Sequence, residues 1–85
     1  MKHAGAEALG RLQPLIAALR EIPELRERKT GTFYRRSRAF LHFHEDPDGL
    51  FADVRLAEQF ERIEVTSAPQ QEVLLQRVRE SLNEG

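Results

Sequence analysis

The chain has 85 residues, room for one small domain with a modest core and a high surface fraction, and too short for a multi-step enzyme with its own cofactor domain. Hydrophobic residues make up 40% and charged residues 32%, a balance that suits a packed fold and excludes a disordered one. A formal charge of −1 gives no global pull toward nucleic acid or an anionic membrane, and the lack of cysteine excludes disulfides, zinc knuckles and thiol catalysis.

With one methionine and no tryptophan, the core must rest on leucine, isoleucine, valine and the five phenylalanines. No apolar run approaches the ~20 residues needed to span a bilayer, so no membrane partner is expected. Met1-Lys2-His3-Ala4-Gly5 leads into a segment broken by Arg11 and Pro14, unlike a secretory signal, and a cytoplasmic location is the expectation.

From Ala8 to Ile22 the apolar positions Ala8, Leu9, Leu12, Leu15, Ile16, Leu19 and Ile22 recur at spacings of three and four, the pattern of an amphipathic helix. Pro14 removes a backbone donor, so the helix either kinks there or is ordered only from near Gln13; we read one helix with a weak N-terminal portion. Ile22-Pro23 stops it. Glu24 to Lys29 reads as a charged edge strand or a connector, and Gly31 to Arg36, rich in aromatic residues, as a strand that turns at Ser37-Arg38.

Ala39 to His44 and Leu50 to Leu56 alternate in step around Asp46-Pro47-Asp48-Gly49, a strong turn sequence. Pairing Glu45 with Leu50 sets Phe43 opposite Ala52, Leu41 opposite Val54 and Ala39 opposite Leu56 on one face. It sets His44 opposite Phe51, His42 opposite Asp53 and Phe40 opposite Arg55 on the other. If Arg36 pairs with Ala39, Phe33 joins the histidine face; a one-residue slip moves it to the core side.

After a connector at Ala57-Glu58-Gln59, Phe60 to Thr66 resumes alternation, with Ile63 and Val65 apolar against Arg62 and Glu64. Ser67-Ala68-Pro69-Gln70 resembles a capping box, followed by the Leu74, Leu75, Val78 and Leu82 stripe of a closing helix. The layout is a single α+β domain over residues 1–85, an antiparallel meander of about four strands with N- and C-terminal helices packed on one face.

The uncovered face would carry Phe33, Phe40, His42, His44, Phe51, Asp53 and Arg55, the candidate ligand-binding or interface residues. Clustered aromatic residues rarely face water, so a partner is implied, and self-association as a homodimer through this face is the leading expectation. A sharper alternative is a small-ligand or divalent-metal site. On one strand, side chains at i and i+2 project together, so His42 and His44 would supply two imidazoles and Asp53 a carboxylate, leaving room for water or substrate. A hydrolytic variant adds Arg55 as an anion clamp, although no phosphate-binding glycine loop or complete triad accompanies it. Arg26, Arg28, Lys29, Arg35, Arg36 and Arg38, interleaved with Phe33 and Tyr34, invite comparison with nucleic-acid platforms. A solvated basic edge explains the same residues, and nucleic acid is not the expected partner.

Through Gly31-Thr32-Phe33-Tyr34, Arg38-Ala39-Phe40-Leu41-His42-Phe43-His44 and Ala52-Asp53-Val54-Arg55-Leu56, the chain resembles small bacterial proteins of the luciferase-like domain group. The resemblance spans roughly Leu15 to Leu82. It implies the helix–meander–helix layout and brings no catalytic set with it.

Overall fold

A computed structural model describes residues 1–84. Its elements are β1 (Lys2–His3), α1 (Ala6–Arg11), α2 (Gln13–Arg20), β2 (Arg26–Lys29), β3 (Thr32–Arg35), β4 (Arg38–Asp46), β5 (Gly49–Val54), β6 (Glu61–Glu64) and α3 (Ala68–Glu84). The strands form one antiparallel sheet in the order β2-β3-β4-β5-β6, a meander, with β1 added against β4. The fold is therefore α+β as expected, with six strands rather than about four. Among the described residues, no helix is long and apolar enough to cross a membrane.

The central hairpin keeps the register that alternation dictates: Leu41 pairs with Val54, His42 with Asp53, Phe43 with Ala52, His44 with Phe51 and Glu45 with Leu50. Asp46 tightens the turn by accepting hydrogen bonds from the Asp48 and Gly49 amides at 2.8 and 3.1 Å. Leu41, Phe43, Leu50, Ala52 and Val54 point into a single core with Leu12, Leu15, Ile16 and Leu19 from the N-terminal helices and Leu74, Leu75, Val78 and Leu82 from α3. Each leucine, isoleucine, valine or phenylalanine among them, fully buried, is worth about 1.5–3 kcal/mol relative to exposure, which is why the N- and C-terminal helices cover the same face.

Four features depart from the sequence reading. The N-terminal helix is two helices that meet at Leu12, where φ −95° and ψ 4° break the path, and Pro14 sits in the first turn of α2. The proline cannot donate to the turn before it, so a clean restart replaces a kink.

The β3–β4 turn consists of Arg36 and Ser37, with Arg35 paired to Arg38. Both turn residues have positive φ, 52° and 68°, the left-handed geometry of the hairpin turn that matches sheet twist.

The third departure concerns the aromatic residues. Tyr34 pairs with Ala39 but Phe33 pairs with Leu41, so Phe40 is an extra residue on β4, a β-bulge. Phe33 and Phe40, 1% and 2% exposed, are thus core residues and not part of the histidine face. Strict alternation would leave Phe40 in water beside a buried Leu41; the extra residue lets both neighbours bury.

β1 arises from the N-terminal segment, for which no strand was expected. It lies along the edge of β4 beyond the end of β3, pairing His3 with His44 and Lys2 with Glu45. The Ala4 amide donates to the Phe43 carbonyl at 3.1 Å and the Gly5 amide to Glu45 Oε2 at 2.6 Å, which extends the anchorage. At the other end of the chain the capping box forms as read. The Ser67 amide donates to Gln70 Oε1 at 2.9 Å and the Gln70 amide to Ser67 Oγ at 3.3 Å.

Candidate metal centre

Strand alternation turns His42, His44, Phe51 and Asp53 away from the helices, and β5–β6 pairing sets Arg62 beside Asp53 and Glu64 beside Phe51. Arg62 binds the Asp53 carboxylate with both arms, Nε to Oδ1 at 2.8 Å and a terminal nitrogen to Oδ2 at 2.9 Å. This fork holds the Asp53 carboxyl below the usual carboxylate range, opposed by partial burial and assisted by the neighbouring histidines.

Oδ2 of Asp53 also faces both imidazoles. His44 Nε2 lies 3.1 Å from it and His42 Nε2 3.6 Å. Neither approach is a hydrogen bond: the His42 contact is too long, and the His44 contact lies too far off the N–H direction. His44, 9% exposed, therefore has both ring nitrogens buried without a hydrogen-bond partner. One donor atom each from His42, His44 and Asp53 falls within a span of 4.8 Å.

Burial holds the His42 imidazole below its ordinary value, His44 adds to the depression, and Asp53 opposes it. The neutral form, the one that can ligate, is favoured.

Two residues not counted among the candidate site residues complete the surroundings. His3 stacks on the His44 ring at 4.7 Å between centroids and lies 5.8 Å from His42, so all three histidines of the chain converge. The His44 ring thus packs between those of His3 and, edge-on at 4.8 Å, His42. Phe60, 41% exposed, packs edge-on against His42 at 5.5 Å and carries the Arg55 guanidinium 4.4 Å above its ring.

Arg55 donates to the Ala39 and Glu58 carbonyls at 3.2 and 3.3 Å and reaches the histidines through the Phe60 ring. It is a neighbour of the cluster and not a clamp at its centre. Arg62 was legible as a polar, outward position of β6; pairing that strand with β5 would have put it beside Asp53. For His3 the only signal was its being the third histidine.

Comparison with family models, curated proteins and solved structures gives no match to the chain.

Proposed function

We propose that this protein is a small metal-binding domain, holding one divalent transition-metal ion of the zinc class on the open face of its sheet through His42, His44 and Asp53. The observation that carries the reading is the pair of imidazole nitrogens 3.1 and 3.6 Å from one carboxylate oxygen. Ligand atoms around a tetrahedral zinc ion, with bonds of about 2.0–2.2 Å, stand roughly 3.4 Å apart, so the two histidine–carboxylate separations lie on either side of that spacing, and all three donors fall within 4.8 Å.

The unpartnered nitrogens of His44 support the same reading. A buried polar group without a partner costs about 1–3 kcal/mol, and coordination would relieve that cost for one of the two His44 nitrogens. Arg62 is compatible with it as well, because carboxylates that bind metals are commonly oriented by a hydrogen-bonding neighbour and each oxygen retains a further lone pair. Three protein ligands leave one position for a water or a small ligand.

Self-association through this face is the second reading, and half-buried Phe51 with exposed Phe60 is what favours it. It rested on Phe33 and Phe40 as well, and both lie in the core. Metal analysis after mild purification, on the wild type and on a His42→Ala, His44→Ala double variant, separates the two. Near-stoichiometric metal in the first and none in the second supports the metal centre. Absence of metal from both, even after equilibration with zinc, with dimers by sedimentation, favours the second reading.

A further inference from the structure

A cavity of about 140 Å³ opens where the β3–β4 hairpin turns, at the end of β4 away from His44. Four arginines line it: Arg35 and Arg38 as the pair that closes the hairpin, Arg36 from the turn, and Arg55 from the chain leaving β5. Its other walls are Ala39, Phe40 and Ala57, and among the described residues no carboxylate lines it. Among the described residues the arginines in ion pairs are Arg20, Arg62 and Arg77, none of these four.

Four like charges around one hollow repel each other, and an oxyanion among them reverses the sign of that interaction. Guanidinium groups suit the task, since each offers a planar fork of donors matched to phosphate oxygens. Arg55 is held ready by its two bonds to backbone carbonyls and by the Phe60 ring beneath it. The turn itself adds an independent observation. Left-handed geometry at two residues is ordinarily met with Asn-Gly, yet here Arg36 and Ser37 bear it, so a guanidinium is kept at the cavity rim at a cost in backbone strain.

We propose that this cavity binds a phosphate-type oxyanion, with Arg35, Arg38 and Arg55 as its ligands and Arg36 closing over it. The site is distinct from the histidine cluster, and the inference does not depend on the metal reading. Orthophosphate and the diphosphate end of a larger small molecule share the chemistry that the four arginines recognise.

Calorimetric titration at low ionic strength with orthophosphate and, separately, pyrophosphate tests it. One saturable site is expected, with the tighter of the two probes naming the source. Replacing two arginines that make charge-assisted hydrogen bonds, in Arg35→Gln, Arg38→Gln, should weaken binding at least about tenfold. An Arg26→Gln, Arg28→Gln control, equal in charge change, and His42→Ala, His44→Ala should both bind as the wild type does. Chemical-shift changes at the side-chain Nε–H groups of Arg35, Arg38 and Arg55 in the wild-type protein provide a second reading independent of variant folding. Absence of saturable binding by either probe, or equal losses in the Arg35/Arg38 variant and the Arg26/Arg28 control, would overturn the proposal.

Discussion

Arg62 takes both oxygens of Asp53, yet Oδ2 remains the atom toward which His42 and His44 converge. The carboxylate is therefore fixed in orientation by a cation on one side while its other side faces two imidazole rings. That asymmetry makes the electrostatics of the cluster readable in solution.

Removing the Asp53 charge should lower the His42 pKa further. Asp53 is the largest influence holding it up, and its loss also leaves Arg62 unneutralised beside the ring. An NMR titration of Asp53→Asn in the presence of chelator checks this; a His42 pKa that stays put or rises would mean the pair does not exist.

Depressed pKa values at His42 and Asp53 act in the same direction on stability. The unfolded chain takes up protons first, so stability is present above the ordinary values and lost as pH falls through the folded ones. For His42 that loss begins below about pH 6.5, well before carboxylates titrate. Denaturant unfolding of the metal-free protein should show stability falling between about pH 7 and pH 5, and His42→Gln should flatten that limb. An unchanged slope in the variant would assign the loss to other groups.

Phe40→Ala should destabilise by about 3–5 kcal/mol and Phe40→Asp should prevent folding, as expected for a side chain in the core. Denaturation midpoints for Ala and circular dichroism for Asp read the effect. A folded, monomeric Phe40→Asp protein would instead mean that this ring faces a partner.

Ser37→Gly should stabilise the hairpin, because glycine adopts φ 68° without the penalty borne by serine, and it leaves the arginines in place. The net gain, after the added freedom of the unfolded chain, is about 0.5–1 kcal/mol, a rise of a few degrees in Tm. A fall in Tm would show that the serine hydroxyl has a role that the geometry of the turn does not reveal.

Most of the fold was legible because two periodicities carried it. The central hairpin combines a strong turn with arms whose apolar residues alternate, and a slip of one residue would have exposed Leu41, Phe43, Ala52 and Val54 together. Ser67 and Gln70 announced α3 in the same local way. Where local signals conflicted, the reading went astray. Phe40-Leu41 places two large apolar residues at successive positions of a strand, and only a bulge buries both, so alternation carried past that point put Phe33 and Phe40 on the wrong face.

Within the candidate site, His42, His44 and Asp53 came from register alone. His3 and Phe60 did not, because a two-residue edge strand and a loop aromatic take their places from tertiary contacts that no periodicity encodes.

The metal centre is tested most directly by titrating zinc into uniformly nitrogen-15-labelled protein while following the imidazole nitrogens. One ring nitrogen each of His42 and His44 should shift together and saturate at one equivalent, with the shifts lost in Asp53→Ala or greatly weakened. Zinc that leaves both rings unperturbed, or that binds only at other groups, would contradict the account.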